Sequence, residues 1–162
     1  MNFWLNVHDP PPDGSTSNGY GYLWLQDKNE HLKDEIKEGD WVFIYEKKTS
    51  PSKMISQDVN GKKTTLKLGK PRGAVIAVIK IKGDPESDEH LWYEPGTERK
   101  VLFKCYFKGR EVWSPPNGVS LDEIRKAWKR KLHRAFNPRI NGGVRKLGPA
   151  EGALLKKLCG LV

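Results

Sequence analysis

Residues 37–46 read KEGDWVFIYE and residues 72–81 read RGAVIAVIKI. Each is a polar lead-in followed by a predominantly apolar run rich in β-branched or aromatic residues. Trp41 to Tyr45 do not alternate with polar residues, so a strand there is apolar on both faces and belongs at the centre of a sheet. Gly73 to Ile81 predicts a second such strand. Asn29 to Glu38 reads as a short helix with Leu32 and Ile36 on one face, and Gly39 stands where its C-cap is expected.

Working outward, Phe3 to Val7 reads as a first strand, and the run from His8 through Pro10-Pro11-Pro12 ends it, because proline removes a ladder donor. Residues 8–20 are then loop, and Tyr20 to Leu25 fits a strand or tight turn. Residues 47–70 are polar and Lys-rich, with a short hairpin arm at Thr64 to Leu68. Residues 83–98 read as an acidic loop containing Leu91-Trp92-Tyr93. Arg99 to Phe107 is a further strand, with Gly109 to Trp113 ending that arm. Ser120 and Glu123 have capping-box spacing, and Leu121, Ile124, Trp128, Leu132 and Ala135 recur at helical intervals until Asn137-Pro138. Pro149 starts a last helix carrying Leu154, Leu155 and Leu158. The expected fold class is α+β: one domain over residues 1–162, a curled or closed mixed β-barrel of about five or six strands with flanking helices, the basic segment 120–162 packed on it.

The chain has 162 residues, 36% hydrophobic and 30% charged, with six Trp, five Tyr and five Phe. That aromatic supply argues against a disordered chain. No apolar run approaches the ~20 residues of a membrane span, and the first residues lack the pattern of a signal peptide. Two cysteines, Cys105 and Cys159, make neither a disulfide framework nor a four-thiolate zinc site. A soluble, cytoplasmic protein is expected. Phosphate-loop, dinucleotide, nucleophile-elbow, zinc-protease and C-x-x-C motifs are all missing. The histidines at 8, 31, 90 and 133 have no ligand spacing; His90 after Asp88-Glu89 reads better as a solvated acidic loop than as a metal cluster. Cys105 reads as a buried thiol. The expectation is a protein without catalysis, metal or cofactor.

Charge is unevenly spread. Residues 121–162 hold 11 basic and 3 acidic residues, a net +8, whereas residues 1–120 hold 18 and 17. Such clustering favours a polyanionic partner, nucleic acid above all, although a solvated basic helix gives the same pattern. Trp41 and Trp128 sit inside strand and helix patterns and read as core, and Trp4 goes either way. Trp24 and Trp92 stand at element boundaries beside polar residues. Two such rings sandwich a base at ~1–3 kcal/mol per stacked base, and a flipped base also needs polar groups at its edge, for which Asn6 and His8 are suited.

The order FWLNV, YLW before a short helix, KEGDWVFIYE, RGAVIAVIKI, RKVLFK and NGGVRKL before a terminal helix resembles the EVE domain, a member of the PUA-like group related to YTH domains. The resemblance covers nearly the whole chain. It implies a small barrel with a pocket for a single, often modified, base. By position in that family, Trp24 and Trp92 are the aromatic walls, and Asn6, the Val7 backbone and His8 contact the base edge. Two departures fall at the pocket: Trp24-Leu25-Gln26 stands where many EVE domains have Trp-Gly-Val, and His8-Asp9-Pro10-Pro11-Pro12 replaces an Asn-rich loop. Trp24 as a plug of the barrel is the plain structural alternative. Lys70, Arg72, Arg125, Lys129, Arg130, Arg134, Arg139 and Arg145 are the candidates for the nucleic-acid backbone. The resemblance implies a recognition module of a modification-dependent restriction or defence system, reading methylated adenine or modified cytosine, with DNA favoured and an effector nuclease as possible partner. An RNA-binding module, and a small-molecule sensor or enzyme using His8 and Asp9, are the other classes it leaves open.

Overall fold

The computed structural model describes residues 1–9, 21–47, 51–96, 100–128 and 143–162. In chain order these form β1 (Phe3–His8), β2 (Tyr22–Gln26), a 3-10 helix (Asp27–Asp34), β3 (Trp41–Glu46), β4 (Lys53–Gln57), β5 (Lys63–Lys67), β6 (Ala74–Ile81), β7 (Glu86–Tyr93), β8 (Lys100–Trp113), β9 (Val119–Ser120), α1 (Leu121–Ala127), β10 (Gly143–Leu147) and α2 (Pro149–Leu158). All ten strands belong to one hydrogen-bonded mixed sheet in the order β10-β1-β3-β6-β8-β7-β4-β5, with β2 added beside β8 and β9 beside β6. β1 and β3 run parallel, and the other pairs are antiparallel. The α+β class stands as expected. Among the described residues no pairing joins the β10 and β5 ends of the sheet.

The two apolar runs pair directly, Trp41 opposite Lys80 and Ile44 opposite Ala77. Their lack of alternation follows from burial on both sides. One face packs Trp4, Leu23, Leu25, Val42, Ile44, Ile76, Ile79 and Phe107 into a first core. The other packs Leu5, Phe43, Tyr45, Val75 and Val78 against Ile124 of α1 and Leu155 of α2. Trp4 is fully buried in the first core.

The lead-in KEGD is a buried anchor. Gly39 adopts φ +85°, which a side chain would resist, and the turn brings the Asp40 carboxylate under β1. Asp40 accepts from the Asn2 backbone N–H at 2.7 Å, the Trp4 indole N–H at 2.9 Å and the Lys37 N–H at 3.1 Å.

Several expectations are corrected. There are about ten strands rather than five or six, because stretches read as loop are strands. Residues 83–98 supply β7, whose first half, Glu86 to Glu89, is exposed and acidic and so lacked an apolar signature. Residues 47–70 supply a β4–β5 hairpin longer than the arm expected at Thr64 to Leu68. Gly109 does not end an arm: β8 runs through it, pairing with β2 and β7 before it and with β6 from Gly109 onward. A Cβ there would lie 2.8 Å from Ile79 Cδ1, so glycine lets the strand cross closely over β6. The helix expected at Asn29 to Glu38 is a 3-10 helix placed earlier. The capping box at Ser120 and Glu123 forms, but α1 ends at Ala127, with Trp128 at ψ 95° as its C-cap and only half-buried. Leu132 and Ala135, which continue the apolar period, lie outside the described residues. No described helix is long and apolar enough to cross a membrane.

Candidate functional site

Alternation along β2 sends Leu23 and Leu25 into the core and leaves Tyr22 and Trp24 on the opposite face. Trp24 is therefore no plug. Its ring meets three others: His90 of β7 at 4.6 Å and 86°, Phe103 of β8 at 6.1 Å and 71°, and Tyr106 of β8 at 4.6 Å and 42°. His90 and Phe103 stack on each other at 4.9 Å and 25°. Trp24 thus stands nearly upright against the His90–Phe103 pair, forming an aromatic corner of half-buried rings. The corner depends on a β-bulge. The β2–β8 register steps from Leu25 opposite Cys105 to Gln26 opposite Phe103, leaving Lys104 as an extra residue. That brings Phe103 and Tyr106, three apart, to the same ring, which regular alternation would forbid. Tyr22 closes on Tyr106 edge-on at 5.5 Å. The Tyr106 hydroxyl donates to Glu86, which Lys108 also meets at 2.8 Å.

The wall expected from Trp92 is placed differently. Trp92 lies on β7 two residues from His90, opposite Val101 on one side and Ser56 on the other. Among the described residues it makes no ring contact with Trp24; His90 takes that position. Asn6 and Val7 face opposite sides of β1: Asn6 shares the side of Trp4, while Val7 is buried toward the helices. His8 lies in β1 opposite Glu46 of β3. The end of β1 is tied to the segment after Trp24 through Asn29, which accepts from the Val144 N–H at 3.3 Å and donates to the Val144 carbonyl at 3.4 Å. Val144 is the β10 partner of Asn6. Beyond β1, Asp9 pairs with Lys47 at 3.3 Å.

No protein-family model matches the chain, and no curated protein matches it. Among solved structures, Rpa0253 from Rhodopseudomonas palustris, determined by NMR, is similar over 99% of this chain and 94% of its own, with a TM-score of 0.50 and 15% identity. Atu2648 from Agrobacterium tumefaciens, a crystal structure, aligns over the same shares with a TM-score of 0.48 and 12% identity. The likeness to Rpa0253 is one of fold alone.

The basic candidates are in unlike settings. Arg72 is committed to Glu46, a fully buried carboxylate, through its backbone N–H at 2.8 Å, Nε at 3.2 Å and a second guanidinium nitrogen at 3.0 Å. Lys70 is exposed. Arg125 is exposed on α1, 3.9 Å from Asp122. Arg145 is half-buried on β10 opposite Leu5. Lys129, Arg130, Arg134 and Arg139 lie outside the described residues. Cys105 and Cys159 are both buried; burial raises the Cys105 thiol and pushes Cys159 up to about 12, so neither is a nucleophile near neutrality.

The sequence missed His90, Phe103 and Tyr106 as partners of Trp24. Placement of His90 two residues before Trp92 was the one available signal, since residues two apart share a strand face. Burial among the rings pulls the His90 pKa below its ordinary value, with Asp88 opposing. The neutral imidazole is therefore the folded form. Its stability contribution is fully present above the unfolded value near ~6.5 and is lost as pH falls through the lower folded value. A His90→Phe variant keeps an aromatic ring there and is expected to lose less stability than the unaltered protein between about pH 7.5 and pH 5. Urea unfolding at the two pH values measures this, and equal losses would remove His90 as the titrating group.

Proposed function

We propose that this chain is a non-catalytic nucleic-acid-binding module of the EVE/PUA-like kind, its curled sheet being an opened form of that barrel, which captures a flipped, modified base on the Trp24 corner. The observation that carries the reading is the placement of Trp24. A large ring that core packing did not need is held half-exposed, nearly perpendicular to a stacked His90–Phe103 pair. A planar base laid on one wall of such a corner meets the other with its edge. Stacking of this kind supplies ~1–3 kcal/mol per base whichever base it is. Base-edge discrimination is assigned to Asn6, the Val7 backbone and His8 at the end of β1. Asn6 shares the Trp4 side of β1 while Trp24 turns away from that core, so a base on the corner would have to reach past the Asn29–Val144 tie to meet it. Phosphate contacts then supply affinity and base contacts specificity. A single methyl adds only about 1 kcal/mol, so selectivity rests on edge contacts as much as on the rings. Methylated adenine or modified cytosine in DNA is the favoured ligand, delivered to an effector nuclease on another chain or segment.

Fluorescence polarisation with matched oligonucleotides, modified and unmodified at one base, as DNA and as RNA, tests the reading. One modified DNA is expected to bind best, and Trp24→Ala is expected to weaken it by about 5- to 150-fold, the equivalent of one stacked base. The modification preference should vanish with it. An unchanged affinity in Trp24→Ala, or equal binding of modified and unmodified DNA, removes the base-capture function. Preference for RNA irrespective of modification would favour the RNA-binding class.

A further inference from the structure

The first half of β7 reads Glu86-Ser87-Asp88-Glu89, is exposed throughout, and leads straight into His90 of the aromatic corner. The chain as a whole carries a net charge of +9, so three carboxylates at the rim of the ring cluster run against its general balance. Two of them are matched by lysines of the neighbouring strand β8: Glu86 by Lys108 at 2.8 Å and Glu89 by Lys104 at 3.9 Å. Among the described residues Asp88 has no cation beside it, and its carboxylate accepts the Glu89 backbone N–H at 2.8 Å.

The register holds that carboxylate at the corner. Ser87 is opposite Cys105 and His90 is opposite Phe103, so Asp88 and Glu89 together face the single residue Lys104 in a bulge. The hydrogen bond to Glu86 raises the Tyr106 pKa, and Asp88 adds to the rise; at His90, where burial lowers the pKa, Asp88 opposes the fall. One unmatched carboxylate is thus felt at two rings of the corner. The neutral His90 supplies no counter-charge to it.

A neutral base stacked on these rings gains nothing from Asp88, and the phosphates that flank the base are repelled by it. A positively charged base gains twice. Its charge lies against the π faces of Trp24 and Tyr106, which attract cations, and close to the carboxylate. The Tyr106 hydroxyl donates to Glu86, which pushes electron density into that ring and strengthens its hold on a cation.

We infer that the Trp24 corner selects bases made cationic by methylation at a ring nitrogen, with Asp88 as the group that reads the charge; this rests on the base capture proposed above and narrows it. A methyl on N1 of adenine or N3 of cytosine leaves the ring positively charged, whereas a methyl on N6 of adenine or C5 of cytosine leaves it neutral. Methylation at N1 or N3 also occupies the pairing edge, so such a base is already unpaired and costs least to extrude.

The test compares isomers in one single-stranded DNA sequence, where pairing plays no part: N1- against N6-methyladenine, N3- against C5-methylcytosine, and the unmodified strands. Each cationic isomer is expected to bind the full chain about 3- to 30-fold more tightly than its neutral counterpart near 0.1 M salt, the range for a cation on an aromatic face. Asp88→Asn should cut that ratio by about threefold, as for the loss of one exposed charge pair. It should leave the neutral isomers and the urea midpoint unchanged, because Asp88 is exposed and bonds to the next amide. Trp24→Ala should weaken both isomers. Neutral isomers bound as tightly as cationic ones, with Trp24 still required, would overturn the charge selection and keep base capture. A ratio untouched by Asp88→Asn overturns the inference as well. Equal binding of modified and unmodified strands removes base capture and this inference with it. A trimethyl-lysine peptide bound more tightly than any strand, and lost in Trp24→Ala, would overturn it in favour of a protein partner.

Discussion

Replacing Asp40 with alanine is expected to lower folding stability by about 3–5 kcal/mol, the largest loss of any single side chain outside the apolar core. The carboxylate is 1% exposed, and three N–H groups from two separate segments point at it: the Asn2 amide, the Trp4 indole and the Lys37 amide. The Asn2 side chain adds a fourth donor at 3.4 Å. Alanine leaves these donors without an acceptor where water has little access, and each buried unsatisfied group costs ~1–3 kcal/mol. It also loosens the lead-in to β3, where the Trp41 N–H bonds to the Asn2 carbonyl. In urea the midpoint should fall by about 2 M for a domain of this size. Asparagine offers one oxygen but puts an amide N–H₂ toward a donor, so Asp40→Asn should lose less than alanine and still be measurable. Trp4→Phe removes one donor together with its need and should lose less than Asp40→Ala. An Asp40→Ala midpoint within about 0.3 M of the unaltered protein would mean that water replaces the carboxylate and the anchor is not needed.

What the sequence made legible follows the same physics. β3 and β6 were readable because they are buried on both faces, and no polar residue interrupts Trp41 to Tyr45 or Ala74 to Ile79. The capping box at Ser120 was readable because its donors and acceptors are three residues apart. β7 was not, since Glu86, Ser87, Asp88 and Glu89 are exposed and its pairing to β8 is a tertiary choice. The site divides in the same way. Trp24 was visible as an aromatic beside polar residues. Its partners were not, because Phe103 and Tyr106 reach one face only through the bulge at Lys104, and a bulge leaves no residue signature here. Trp92 and His90 share a face of β7, and the fold sets the His90 ring rather than that of Trp92 against Trp24.

Arg72 illustrates a charge whose sequence reading and structural employment differ, and Arg72→Ala is expected to cost about 3 kcal/mol of stability rather than to act first on binding. Glu46 is 0% exposed while the Arg72 side chain is 35% exposed. Removing the partly exposed partner leaves the fully buried one with no counter-charge, and breaking a buried pair from one side is the costly direction. The guanidinium also reaches the Pro116 carbonyl at 3.4 Å, tying the start of β6 to the turn before β9. Replacing both partners, Glu46→Leu with Arg72→Leu, should recover most of the loss, since an apolar pair of similar volume often matches a buried ion pair. A double-mutant cycle by urea unfolding, using Glu46→Ala, Arg72→Ala and the double variant, should give a coupling of more than about 1 kcal/mol. DNA affinity measured well below the unfolding midpoint of Arg72→Ala should stay within about threefold of the unaltered protein, because the guanidinium is already spent on Glu46. A loss of affinity without a loss of stability would reverse this assignment and return Arg72 to the phosphate contacts.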